Sequence, residues 1–580
     1  MKRWLKYVKP YLPYFILGPL CMILEVVGEV LMPKFLAEVI NGADSDIGIS
    51  VTSMVLMILT ALMMMAGGIG GAYFGAKAAV NFATDLRRDT FAKIQEFSFA
   101  NIDKFRTGSL VTRLTNDVTQ MQNFVNMLLR MALRSPGMLI GGLIMAISMQ
   151  PSLSLVLAVT VPMLLITIAI LIALAFPRFQ SMQMRVDALN ATVQENITNI
   201  RVVKSFVRED YESEKFADAN SRLKAAGMHA TKLMIIIMPL MNFFMYATII
   251  AVVFFGSGIV LEGDMPVGDL SAFVTYVNQI LSSLMMVAML FMTTSRAMAS
   301  GKRIGEVLDE HPDINDEDAR YPDLTVKDGA ISFRGVSFRY YKDNDEPVLD
   351  KIDLEIPARS TVGIIGSTGC GKTTLVSMIP RLYDVDEGEV LIDGVNVRDY
   401  SLYNLREGVG MVLQKNVLFS GTIYDNLRFG DADASDEEVQ RFATYAAADK
   451  FVSTFKDGYD SEIEQGGANV SGGQKQRLCI ARALLKRPKV LILDDSTSAV
   501  DTATERQIQS ALSTELEDCT KIIIAQRINS VKGTDMIVVM DDGAITAIGT
   551  HDELLETSET YREIFESQSS VTESERGEAV

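Results

Sequence analysis

The 580-residue sequence is poor in cysteine, in positive charge over its second half, and in charge of either sign along several long stretches. Its four cysteines, Cys21, Cys370, Cys479 and Cys519, show no paired spacing, which excludes a disulfide scaffold and a Cys-x-x-Cys metal site. Lys and Arg number 54 against 72 Asp and Glu, and the deficit is uneven. Residues 1–310 carry 26 basic and 23 acidic side chains, net +3, whereas residues 311–580 carry 28 and 49, net −21. So acidic a half repels phosphate, which excludes a nucleic-acid binder driven by overall charge. The length already requires at least two domains, and the asymmetry puts them in different surroundings.

Charge is absent from 47–76, 135–177, 233–261 and 270–295. A membrane-crossing helix needs ~20 mostly apolar residues, and such runs exceed ordinary globular helices. The run 135–177 is long enough for two crossings that turn at Gln150-Pro151-Ser152, and a further crossing over about 12–40 makes six. The loops 41–50, 149–152 and 262–269 hold no Lys or Arg. The other side holds Lys2, Arg3, Lys6 and Lys9, then Arg87, Arg88, Lys93, Lys104 and Arg106, then Arg178, Arg185, Arg201 and Lys204. Positive loops stay inside, so both termini are expected on the cytoplasmic face of a cell membrane. The first ten residues read as a basic helix on the inner surface, because no small-residue cleavage site follows a short apolar region. The connections 77–134 and 178–232 are sparse in Gly and Pro and read as helices continuing into the cytoplasm. Gly67, Gly68, Gly70 and Gly71 would let a neighbouring helix approach closely.

Glu25 and Glu29 lie one turn apart within the first crossing. Each costs ~2.5–3.5 kcal/mol at mid-membrane on insertion scales, so both must face protein or water. Two uses stay open: an acidic spot in a substrate cavity that favours amphiphilic cations, and pairing with Arg130 and Arg134. The methionines within 62–65 and 285–292 fill gaps or face lipid in the simpler reading, and line an adaptable pocket in the other.

From about 328 the texture changes to short β-rich runs alternating with helical ones. The buried strand 360–365 runs into Gly366-Ser367-Thr368-Gly369-Cys370-Gly371-Lys372-Thr373, which fits GxxxxGK[ST], and a helix follows through Thr374. Glycines let backbone amides curl around an anion at a helix N-terminus, Lys372 would reach the β- and γ-phosphates, and Thr373 would ligate Mg²⁺. The apolar strand 490–493 ends in Asp494-Asp495, which places Asp494 to hold the magnesium shell. Ser471-Gly472-Gly473-Gln474 opens another helix whose amides suit phosphate. Cys370 reads as a small residue at a permissive position rather than a redox brake, since cytosolic thiols stay reduced.

Taken in order, these motifs resemble those of ATP-binding cassette exporters, six crossings fused to one nucleotide-binding domain, and the resemblance covers nearly the whole chain. It implies an all-α membrane domain plus an α/β P-loop cassette: transmembrane domain 1–310, linker 311–327, cassette 328–568 and a polar, disordered tail 569–580. Ser471–Gln474 is similar to the family's signature, Gln414 to its Q-loop with a magnesium contact, and Ser498-Ala-Val-Asp501 to its D-loop. Tyr340 resembles the aromatic that stacks on adenine, with Tyr341 a substitute, and 99–105 and 206–216 resemble the elements that couple membrane helices to cassettes. The resemblance further implies ATP and Mg²⁺ as cofactors. It also implies two cassettes meeting head to tail, each ATP lying between one P-loop and the other chain's signature.

The sequence departs from the family twice. Asp495 stands where the family has the Glu that polarises the attacking water, and Gln526 where it has a histidine that contacts the γ-phosphate. His229, His311 and His551 lie elsewhere in the motif order. A shift of ~1 Å in a positioning group can cost 10²-fold, and an amide cannot become cationic. The expected result is a site that binds ATP and hydrolyses it poorly. Its signature would complete the site of a second half-transporter that keeps Glu and His, as in the bacterial heterodimeric multidrug exporters it resembles. The substrate class expected is a hydrophobic or amphiphilic small molecule moved across the lipid bilayer by alternating access; no nucleic acid is involved. A lipid or peptide exporter and an ATP-gated conduit or regulator are the other readings.

Overall fold

The computed structural model describes residues 3–43, 50–317, 319–342, 346–495 and 501–577. The chain divides into two compact units, Met1–Gln95 with Gly108–Glu310, and Glu96–Thr107 with His311–Val580.

Among the described residues, every element of the first unit is a helix. Among the described residues six helices are long and apolar enough to cross a membrane, over Leu5–Ala43, Val51–Gln95, Thr107–Met149, Pro151–Thr198, Glu209–Leu261 and Val267–Val287. Pro151–Thr198 and Glu209–Leu261 run for 48 and 53 residues. At ~1.5 Å per residue both far exceed the ~30 Å hydrocarbon layer, so they project beyond it. Pro151 opens its helix at the first position, where its missing N–H has no partner to lose, after Gln150 in extended conformation. A Cβ on Gly67 would stand 2.8 Å from the Cys21 carbonyl oxygen, so only glycine allows the helices Leu12–Ala43 and Val51–Gln95 to touch there. Phe273, Tyr276, Val277 and Ile280 recur at helical spacing and are fully buried against Ala146, Leu153 and Leu157. Ile58, Leu155, Val159 and Phe254 remain exposed, as lipid-facing side chains must.

The second unit is built on a six-stranded sheet in the order Ala544–Gly549, Met536–Asp541, Thr361–Gly366, Thr520–Ile524, Val490–Asp494, Val409–Val412. All neighbours run parallel except the first pair. Val490–Asp494 and Thr520–Ile524 are buried at every position, which fits the apolar runs 490–493 and 522–524 within them. A second, antiparallel sheet orders Leu349–Ile356, Ile331–Phe338, Glu387–Ile392 and Val395–Asn396. The P-loop thus leaves the carboxyl end of an interior parallel strand, where open α/β sheets bind ligands.

The tail departs from the expectation of disorder. The helix Glu559–Gly577 continues through 569–577, and 578–580 lie outside the described residues. A helix already nucleated at a packed end propagates at little cost. Lys2, the first three D-loop residues 498–500, and the side chains of Met289 and Met292 also lie outside the described residues.

Candidate functional site

The phosphate loop turns on three glycines at positive φ, Gly366 (155°), Gly369 (90°) and Gly371 (95°). A Cβ on Gly366 would fall 2.0 Å from the Met540 carbonyl oxygen, whereas one on Gly369 meets nothing within 4 Å. The first glycine is fixed by packing, and the second leaves the loop open on the side where a phosphate would approach. Ser367, Thr368 and Gly369 form the exposed lip; Cys370 and Gly371 are buried beneath it. Lys372 donates to the carbonyls of Gly366 (2.8 Å) and Ser367 (2.7 Å) and lies 3.6 Å from Cys370 Sγ. Its ammonium is therefore held inside the loop that it would serve.

Thr373 donates its hydroxyl to the Asp494 carboxylate, 2.9 Å from Oδ2 and 3.1 Å from Oδ1. Asp494 is buried at the end of its strand, and burial raises its pKa against the opposing effect of the Thr373 hydrogen bond. A hydroxyl and a carboxylate facing one another are hard oxygen donors of the kind magnesium takes. Tyr340 shares a hydrogen bond with the Thr374 hydroxyl (3.0 Å) and meets Tyr383 edge-on at 5.2 Å, while Tyr341 is largely exposed.

The two positions that depart from the family touch each other. Gln526 Nε2 donates to Asp495 Oδ2 at 2.8 Å, and Gln414 also hydrogen-bonds this carboxylate. Burial raises the pKa of Asp495, with Gln414, Lys372 and Gln526 opposing it. Its backbone is left-handed (φ 47°), a conformation that Asp tolerates better than most residues.

Ser471 and Gln474 form a capping box at the head of the helix Gly472–Leu485. Gln474 N–H donates to Ser471 Oγ (3.3 Å) and Ser471 N–H to Gln474 Oε1 (2.9 Å). The signature's own side chains thus satisfy part of the helix end expected to be free, and the amides of Gly472 and Gly473 head the helix. Asp501 caps the helix Thr502–Glu515 by accepting from the amides of Ala503 (3.1 Å) and Thr504 (3.0 Å), and these bonds lower its pKa.

In the membrane unit, Arg134 Nη2 lies 3.1 Å from Glu25 Oε1 and 2.5 Å from Glu29 Oε1. The pairing reading therefore holds for Arg134, with Arg130 exposed. One guanidinium faces two carboxylates, and the second oxygen of each is buried without a hydrogen-bond partner.

Two residues were not singled out in the sequence. Tyr383 accompanies Tyr340, donates to Asp103 (3.3 Å) and packs near Phe99 of the helix Phe99–Phe105, so the second unit itself contains the first expected coupling element. Burial and Asp103 raise the Tyr383 pKa. The second expected element, 206–216, belongs to the first unit. Gln568, the other, grips the backbone beside Gln526.

Family models match this chain twice: the ABC transporter transmembrane region over residues 15–284 and the ABC transporter family over 349–498. YfiB of Bacillus subtilis, described as an uncharacterized ABC transporter ATP-binding protein, is 37% identical over 98% of this chain and 98% of its own. YgaD of the same bacterium, provisionally named a multidrug export ATP-binding/permease protein, is 32% identical over 97% of this chain and 98% of its own. A solved bacterial Atm1-family ABC exporter with ATP bound superimposes with a TM-score of 0.77 at 26% identity, over 96% of this chain and 98% of that one.

Proposed function

This chain belongs to the ABC transporters, as an exporter half with six membrane-crossing helices fused to one ATP-binding cassette, and from that premise we propose that it is the ATP-holding, weakly hydrolysing subunit of a heterodimer. Its cargo is a hydrophobic or amphiphilic compound, and its termini and cassette face the cytoplasm. The observation that carries this reading is the bond from Gln526 Nε2 to Asp495 Oδ2. In-line attack needs a base free to orient water toward the γ-phosphate and a donor that strengthens as charge develops there. Here one of the donor's two amide hydrogens is directed at the base instead of the γ-phosphate, and the base is a methylene short.

The residues that hold the nucleotide are intact. Tyr340 carries the adenine; the loop from Gly366 to Thr374 carries the phosphates. Thr373, Asp494 and Gln414 would hold Mg²⁺, which when bound neutralises phosphate charge. ATP binding closes the cassettes and the coupling helices pass this to the cavity. Ser471–Gln474 completes the partner's site, where hydrolysis reopens the pair. The shared charge of Glu25, Glu29 and Arg134, two acids against one base, supports cationic amphiphiles as cargo, and YgaD's name points the same way.

Restoring the family residues tests this. Asp495→Glu combined with Gln526→His should raise turnover at this P-loop roughly ten- to a hundredfold, read as vanadate-trapped nucleotide on this chain in the purified assembly. Equal trapping in parent and variant would overturn the reading.

A further inference from the structure

The helix Glu559–Gly577 reaches the loop that holds Gln526. Tyr561, Ile564, Phe565 and Gln568 share one face of it, at positions i, i+3, i+4 and i+7. The first three anchor the face. Tyr561 is fully buried with its hydroxyl 2.8 Å from His551 Nδ1, Phe565 meets the His551 ring at 5.6 Å, and Ile564 and Phe565 pack on the core cluster that contains Ile528. Gln568 ends the stripe. Its Oε1 accepts from the Ile528 amide at 2.9 Å, and its Nε2 donates to the Gln526 carbonyl at 2.8 Å.

A carbonyl can only accept and an amide N–H can only donate, so these partners fix which way the Gln568 amide points. Carbonyl 526 and amide 528 are the pair that a strand offers an adjacent strand, and Gln568 answers both with one side chain. On the inner side, Ala525 N–H donates to the Ile364 carbonyl at 3.2 Å. The stretch 525–528 is thus held by the P-loop's own strand on one side and by the C-terminal helix on the other. Gln526 projects from it onto Asp495.

We propose that Gln568 is a positioning residue for the γ-phosphate side of the ATP site, and that docking of the C-terminal helix sets how firmly Gln526 is held on Asp495. The inference deepens the reading of this P-loop given above and rests on it for the role of Gln526. It does not depend on whether hydrolysis there is slow.

The test uses the full-length chain and Mg·ATP. Gln568→Ala removes both bonds; Gln568→Glu keeps the acceptor for Ile528 N–H and loses the donor to carbonyl 526. A stop after Ser567 leaves Tyr561 and Phe565 in place. Hydrogen exchange over 526–530 should quicken in the Ala and truncated proteins, and release of bound ATP from this P-loop should quicken by roughly three- to tenfold, the worth of one or two net hydrogen bonds. Gln568→Glu should fall between them and the parent, and the melting midpoint should stay close to the parent's. Unchanged exchange would overturn the clamp. Faster exchange with unchanged ATP release and unchanged turnover would reduce Gln568 to a structural contact and overturn its positioning role. Brisk ATP hydrolysis at this site in the parent protein would defeat the weak-site reading alone, because Gln568→Ala would then be read as a change in that turnover.

Discussion

At the scale of single residues, the membrane unit carries one arrangement whose energetics can be checked without knowing the cargo. Arg134 serves Glu25 and Glu29 together from side chains that are mostly buried, at 25%, 14% and 15% exposure. Breaking a buried ion pair by removing one partner leaves uncompensated charge and costs about 3–5 kcal/mol, whereas removing all members at once is often neutral. Arg134→Met should therefore lower the melting midpoint and folded yield in detergent sharply. Adding Glu25→Gln and Glu29→Gln to it should recover most of the loss. A lone Arg134→Met protein as stable as the parent would show that the two carboxylates find compensation elsewhere.

At the scale of elements, His551 ties the short helix His551–Thr557 to the helix Glu559–Gly577. Burial, and then Lys532, lowers its pKa, so the native state disfavours its protonated form relative to an unfolded chain. An unfolded chain protonates it below about pH 6.5 and then binds more protons than the native state, so stability falls as pH drops through that value. Asp494 and Asp495, both raised, act in the opposite direction. The quantity to read is thus the difference between the parent and His551→Gln: the parent's melting midpoint should lose more between pH 7.5 and 5.5. Parallel profiles would remove His551 from the account. The same pair of helices marks where sequence reading stops. The crossings and the P-loop were legible because their signals are local: unbroken apolar runs, and glycines, Lys and Thr at fixed spacing. Tyr383 with Asp103, Gln568 with Gln526, and Gln526 with Asp495 are separated by 280, 42 and 31 residues, and no composition rule brings them together. The tail looked disordered because its polar residues have nothing to bury, yet the stripe that docks it ends at Gln568, just before 569.

At the scale of the whole molecule, the proposed division of labour makes a demand that no change in the P-loop can imitate. If the signature of this chain completes a companion's competent site, then damage at Ser471 should be felt by the assembly and not by this chain's own nucleotide. Ser471→Arg removes the cap that Gln474 N–H uses, a loss of about 1 kcal/mol for the helix. That helix is otherwise held by buried Leu478, Ile480, Ala481 and Leu484, so the cassette should still fold. The new side chain would crowd the amides of Gly472 and Gly473 where phosphate would bind. Assembled with a companion half that keeps Glu and His, the variant should lose nearly all ATP turnover while labelling of this chain by an azido-ATP probe stays intact. Lys372→Ala should do the reverse, abolishing the label and sparing much of the turnover. Turnover that survives Ser471→Arg, or that this chain supports briskly when purified alone, would mean that its own P-loop is the working site and that two copies of it suffice.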